Sequence, residues 1–241
     1  MSTWFEPGMY ATDTGPSSQV IAELVVSLFH PVSVVDVGCG PGTLLSYFRS
    51  AGVVDLCGID GPPVSAVFKD DAGEFVAADL TRPLHLPQRF EIATCLEVAE
   101  HLPPTAAETL VETLVGLAPV VVFSAATPGQ GGEGHINEQW PTYWQQIFRR
   151  SGLVCLDVLR GQLASKPDVL NYYRTNTFVY MTESVADRFV SQVDPEYLAD
   201  PYTISMTGGV RRDLHSVPWG DLCMALVMKL DRRLKRVQWG I

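Results

Sequence analysis

Ten residues, Val34-Val35-Asp36-Val37-Gly38-Cys39-Gly40-Pro41-Gly42-Thr43, restrict this chain to few folds. The run before the first glycine is apolar and β-branched, which predicts a buried strand. It stops at three glycines on alternate positions, and residues 44–51 read as a helix. Strand, glycine turn and helix together bring bare backbone against a ligand, because glycine has no Cβ to hold the ligand away.

The spacing narrows the ligand. A dinucleotide site uses G-x-G-x-x-G, and a phosphate loop uses G-x-x-x-x-G-K. Here the turn is G-x-G-x-G, no lysine follows, and Asp36 stands two residues before the first glycine. A carboxylate there repels pyrophosphate and suits an ammonium or a sulfonium. Two more acids end the next predicted strands, Asp60 after residues 53–59 and Asp79 after residues 75–78. At the first position a carboxylate can accept both hydrogens of a ribose diol. The plainer alternative for Asp60 is a turn aspartate that caps the next helix, and Asp79 before Thr81-Arg82-Pro83 also reads as a turn.

A fourth predicted strand, 90–96, runs into Glu97-Val98-Ala99-Glu100-His101. If the chain turns helically there, Glu97, Glu100 and His101 fall at i, i+3 and i+4 on one face. The carboxyl end of a central strand is where α/β sheets bind ligands. Three roles stay open for these side chains. They support a cofactor, or His101 acts as general base with an unperturbed pKa of about 6.5, or they hold a divalent metal. Carboxylates with imidazole suit Mg²⁺ or Mn²⁺ better than zinc.

After a predicted helix over 105–117 and a strand over 120–124 comes a loop with four glycines in six residues, ending Gly134-His135-Ile136-Asn137. It leaves the same sheet edge as Glu97 and His101. His135 and Asn137 are its candidates to face a substrate; the alternative is a histidine that satisfies loop backbone. Trp140, Trp144, Ile147 and Phe148 repeat at helical spacing and read as core. Strands over 153–158 and 177–182 close the pattern. Residues 160–175 read as a connection whose Tyr172, Tyr173 and Arg174 either line an acceptor pocket or stack under the sheet edge.

Before the bend, Ser17 or Ser18 is the expected cap of a helix carrying Val20, Ile21, Leu24, Val25 and Leu28. A net charge of −10 argues against broad nucleic-acid binding. No apolar run reaches the roughly 18 residues of a membrane span, and no signal-like segment is expected. Five scattered cysteines without CxxC fit a reducing, cytoplasmic setting and argue against zinc.

From residue 33 to residue 182 the chain resembles the class I S-adenosylmethionine-dependent methyltransferases, on the strength of the G-x-G-x-G bend with its acid, Asp60, Asp79 and the E-x-x-E-H stretch. The resemblance implies an α/β fold, a Rossmann-like seven-stranded sheet, mostly parallel with the last strand antiparallel and helices on both faces. It implies S-adenosylmethionine held by Asp36, Gly38, Cys39, Gly40, Gly42, Asp60, Gly61, Asp79, Leu80 and Glu97. Asp36 and the glycines would face its amino acid part, Asp60 the ribose and Asp79 the adenine. By likeness to the small-RNA 2′-O-methyltransferases, Glu97, Glu100, His101 and His135 would form a Mg²⁺ or Mn²⁺ site. The basic signature of those RNA enzymes is absent, and the stretch from Gly134 to Trp144 looks instead like bacterial small-molecule and glycan O-methyltransferases.

The expected organisation is an N-terminal arm and helix (1–30), a cofactor-binding domain (31–183) and a C-terminal extension packing on it (184–241). Trp4, Phe5 and Tyr10 of the arm are candidates to close over a bound ligand, the alternative being an arm with no part in the site. The extension ends in a helix over 221–237 that packs on the domain, makes a homodimer contact or touches a membrane surface. The expected reaction is O-methylation of a small molecule or saccharide, with His101 or His135 as base. Its alternatives are N- or C-methylation of a metabolite, or a catalytically silent binding protein.

Overall fold

A computed structural model of the chain describes residues 14–190. The arm with Trp4, Phe5 and Tyr10 and the helix expected over 221–237 lie outside the described residues. Seven strands form one sheet: β1 (Ser33–Val37), β2 (Asp55–Asp60), β3 (Glu74–Ala77), β4 (Ile92–Leu96), β5 (Val120–Ser124), β6 (Leu153–Leu156) and β7 (Phe178–Thr182). Their order is β3-β2-β1-β4-β5-β7-β6. The first five pair in parallel, and β7 runs antiparallel between β5 and β6. This is the Rossmann-like seven-stranded sheet that the resemblance implies.

The helices are α1 (Gly15–Phe29), α2 (Thr43–Ser50), α3 (Ala107–Leu117), α4 (Pro141–Arg150), α5 (Arg160–Ala164), α6 (Asn171–Asn176) and α7 (Glu183–Val190). Both faces of the sheet are covered, so β1 and β5 are buried at every position. Alternate residues then serve opposite cores. Val35, Ile59, Ala93 and Val121 pack with Leu110 and Leu114 of α3 and Phe148 of α4. Val34, Leu56, Ile92 and Val122 pack with Ile21 and Val25 of α1 and Phe48 of α2. Trp144 is a core residue, its ring 5.1 Å from that of Phe123.

Three expectations need correction. Ser17 and Ser18 do not cap α1, whose N-cap is Thr14. Both serines are buried, and the Ser17 hydroxyl accepts a hydrogen bond from the Leu170 N–H at 2.9 Å. Residues 160–175 are not a plain connection but contain α5 and α6. Arg160, the first residue of α5, is fully buried, forms an ion pair with Asp157 at 2.6 Å and lies over the Phe178 ring. The strand expected over 75–79 ends at Ala77, which leaves Asp79 in the loop beyond it.

The chain runs outward from β1 to β2 and β3, then returns to β4 on the other side of β1. That reversal opens a crevice at the carboxyl ends of β1 and β4, the usual ligand position in open α/β sheets. The glycine bend and the Glu97–His101 stretch meet there.

Candidate cofactor and acceptor site

The bend is tied to β2 at each step. Gly38 and Cys39 donate their N–H groups to the Ile59 carbonyl at 2.7 and 3.2 Å. Gly40 donates to Asp60 Oδ2 at 2.8 Å, and Gly61 donates to Oδ1 of the same carboxylate at 2.6 Å. Gly38 has φ of +77°, and a Cβ there would lie 2.3 Å from a methyl of Val98. Only glycine meets both demands.

Two carboxylates sit under this bend. Asp36 is buried, and its Oδ1 accepts from the Thr94 hydroxyl at 2.6 Å, which joins β1 to β4. Burial pushes its pKa up to about 7, against the Thr94 hydrogen bond and with help from the charge of Asp60. Asp60 is also raised, because burial outweighs the bonds from Gly40 and Gly61. Two acids raised by burial favour a positively charged ligand, which would restore their ionised forms. The Cys39 thiol is driven upward by burial and stays neutral. Leu80 belongs to the apolar cluster over β1 and β2. Asp79 accepts from the Thr81 N–H and hydroxyl at 3.0 and 2.6 Å, and those bonds hold its pKa down.

The stretch after β4 does not form the helix expected from Glu97. Glu97 has a left-handed φ of +55°, and only Ala99–His101 makes a helical turn. The reason is β5: the Glu97 N–H is taken by the Ser124 carbonyl at 3.0 Å and the Ser124 hydroxyl at 3.1 Å. Its carboxylate accepts from Gln130 Nε2 at 2.8 Å, and Asn176 Nδ2 donates to Gln130 Oε1 at 2.8 Å.

Glu100 is completely buried, and neither carboxylate oxygen has a hydrogen-bond partner. Burial, and after it the charge of Glu97, holds its pKa well above the ordinary carboxylate range. His101 is displaced the other way, to about 4, by burial and by His135. Their rings stand edge to face with centroids 4.9 Å apart. One ligand atom each of Glu100, His101 and His135 fall within 4.8 Å of one another. Glu97, expected as a fourth member, is not in that close group.

The loop that delivers His135 is pinned beneath this turn. Ile136 and Asn137 donate their N–H groups to the Glu100 carbonyl at 2.9 and 3.0 Å. Asn137 does not face outward as expected. It is buried, its Nδ2 donating to the Ala99 carbonyl and its Oδ1 accepting from Gln139. His135 Nδ1 lies 3.0 Å from Glu138 Oε1. Tyr173 is buried in the core with residues of β5 and β7. Tyr172 is half-buried, and burial followed by the charges of Glu97 and Glu100 lifts its pKa to about 12.

Sequence reasoning missed Ser124, Gln130, Glu138 and Asn176. Glu138 carried a signal, three residues after His135 at the end of a glycine run. Asn176 carried none, since it reaches the site only through the fold.

A family model described as a methyltransferase domain matches residues 16–158. No curated protein sequence matches the chain. Among solved structures it is similar to DesVI from Streptomyces venezuelae, with 14% identity, 72% of this chain and 94% of that one covered, and a TM-score of 0.52. The sugar N-methyltransferase KedS8 from a Streptoalloteichus species is similar at 15% identity, 72% and 89% coverage, TM-score 0.53. So is an O-methyltransferase family protein from Burkholderia thailandensis, at 12% identity, 68% and 55% coverage, TM-score 0.51. At these identities the likeness is one of fold. Among the described residues, no helix is long and apolar enough to cross a membrane.

Proposed function

The chain belongs to the class I S-adenosylmethionine-dependent methyltransferases, and from that premise we propose that it methylates a hydroxyl of a small molecule or saccharide. One observation carries the reading: Glu100 and two imidazoles converge at the carboxyl end of β4, and His101 stays neutral at physiological pH. A neutral imidazole can accept a proton from a hydroxyl as its oxygen becomes the nucleophile.

The residues fit the cofactor that the family implies. Asp36 and Asp60, raised by burial, favour the ionised state once a cation is beside them. The bend of Gly38, Cys39, Gly40 and Gly42 leaves backbone rather than side chains facing the crevice. Asp60 keeps lone pairs beyond the two that Gly40 and Gly61 use, and these suit a ribose diol. Gly61, Asp79 and Leu80 border that side, with Asp79 toward the adenine. Glu97 is reserved for the methionine end. S-adenosylmethionine brings an electrophilic methyl on a sulfonium, so the protein's share is alignment and proton removal.

Glu100, His101 and His135 also fit a Mg²⁺ or Mn²⁺ ion. Two buried carboxylate oxygens without partners, beside two imidazoles, are a donor set that such a cation would satisfy. Bound there, it would lower the pKa of an acceptor hydroxyl. The chain's own groups then divide the work: Glu100 supplies negative charge, and His101 and His135 supply ring nitrogens at the acceptor side.

We assign the catalytic domain to residues 31–183, with an arm and helix at 1–30 and an extension at 184–241, in a cytoplasmic enzyme. The test is turnover of S-adenosylmethionine against a panel of sugars, phenols and amines. Product with hydroxyl acceptors, lost in both His101→Ala and His135→Ala, is expected. Full turnover in both variants would overturn the base assignment. Full turnover in EDTA with no metal in the purified protein would remove the cation.

A further inference from the structure

One carboxylate of the loop between β5 and α4 is not used by the assignment above. Glu138 Oε2 accepts from the Gly129 N–H at 2.6 Å, and Oε1 accepts from the Gly131 N–H at 2.7 Å. The same Oε1 faces His135 Nδ1 at 3.0 Å. One carboxylate therefore gathers both limbs of a glycine run and the imidazole at its end. A loop of this composition has high backbone entropy, so its geometry must be imposed by such bonds.

The carboxylate also decides the imidazole's proton. Its two oxygens accept from the Gly129 and Gly131 N–H groups, so the edge it turns toward His135 is that of an acceptor. A carboxylate held as an acceptor by two backbone N–H groups meets Nδ1 as a donor, and in the neutral ring Nε2 then keeps its lone pair. The rest of the ring is bounded by His101, with centroids 4.9 Å apart, by a Glu100 ligand atom within 4.8 Å, and by Gly132, where an added Cβ would fall 2.3 Å from Nε2. The ring thus has one position and one tautomer.

We infer that Glu138 is the positioning residue of the acceptor site: it closes the glycine loop and fixes His135 as the Nδ1–H tautomer, with Nε2 left to accept a proton or bind a cation. This rests on the acceptor-site role proposed for His135, and it adds the group through which that role is set. Carboxylates behind working imidazoles act in this way elsewhere, and their loss typically costs roughly 10–100-fold in activity or metal affinity.

The test uses the full chain labelled with ¹⁵N-histidine, with His135 assigned by its loss in His135→Ala. Long-range ¹H–¹⁵N spectra read the tautomer without any acceptor or turnover. The wild type should show Nδ1–H at His135, and Glu138→Ala should show a mixture or Nε2–H. With the acceptor found in the turnover panel, kcat of Glu138→Ala should fall roughly 10–100-fold while KM for S-adenosylmethionine stays within about twofold. Glu138→Gln, which keeps one acceptor oxygen, should fall between the two. Should Glu138→Ala misfold, Glu138→Leu, which fills the space without an acceptor oxygen, reads the same tautomer. An unchanged His135 tautomer in Glu138→Ala or Glu138→Leu would overturn the inference, as would a loss confined to KM for S-adenosylmethionine. Full turnover of His135→Ala would sink the functional assignment of His135 instead, while the tautomer spectra would still decide what Glu138 does.

Discussion

Asp60 and Gly40, twenty residues apart, are joined by a 2.8 Å bond from the glycine N–H to the aspartate Oδ2. The acid read from the sequence as a ribose ligand is therefore also a brace for the bend. Asp60→Ala should lose both functions: S-adenosylmethionine binding weaker by at least about tenfold, and the free protein less stable by roughly 1–3 kcal/mol because two N–H groups lose their acceptor. Asp60→Asn keeps one acceptor oxygen and should fall between. Calorimetric titration and urea unfolding on the same preparations separate the two losses.

Asp36 sets a pH dependence whose sign is fixed by its burial. Folded, it titrates at about 7; its ordinary value is 3.8. Between those values the folded state holds the extra proton, so its contribution to stability falls as pH rises through the window. Asp36→Asn retains an oxygen for the Thr94 hydroxyl and cannot ionise. The free variant should be more stable than wild type at pH 8, by on the order of a few kcal/mol, and close to it at pH 4. It should bind S-adenosylmethionine poorly. His101 contributes with the opposite sense: with a folded pKa of about 4, it favours the fold above about 6.5 and withdraws that support as pH drops toward 4.

Gly38→Ala places a Cβ against Val98 at a positive φ. We expect at least about 2 kcal/mol of destabilisation and loss of cofactor binding. Gly38→Ala with Val98→Ala relieves the contact but not the backbone strain, so it should recover part of the stability. Thermal denaturation of the single and double variants checks this.

Arg160→Leu strands the Asp157 carboxylate in the core. Removing one partner of a buried pair costs about 3–5 kcal/mol. Asp157→Asn combined with Arg160→Leu should recover much of that, because no unpaired charge remains. A double-mutant cycle in urea measures the coupling.

The bend, its acid and the acids after β2 and β3 were legible because they are local: a β-branched run, glycines at fixed spacing and carboxylates at strand ends. Helix α3 was legible for the same reason, its stripe of Leu110, Val111, Leu114 and Leu117 being fully buried. The reading failed where distant groups decide. Glu97 was expected on a helix face, but Ser124 of β5 captures its N–H and turns it left-handed. Ser17 was expected as a cap, but Leu170 reaches its hydroxyl from across the chain. Helices α5 and α6 are too short to show a period, and α5 opens on Arg160, whose salt bridge with Asp157 composition does not announce. Asn137 looked like a substrate contact because it followed His135, yet it is a buried tie between the loop and the turn beneath.

Gly132 and Gly131 look interchangeable on paper and are not. An added methyl at Gly132 meets the imidazole of His135, whereas one at Gly131 meets nothing within 4 Å. Anyone diversifying this segment to retarget the enzyme should see the former return unchanged in every active clone. The latter should admit asparagine or aspartate, which tolerate its left-handed backbone. Apparent slack in the segment thus hides one fitted contact, and new specificities must be built around it.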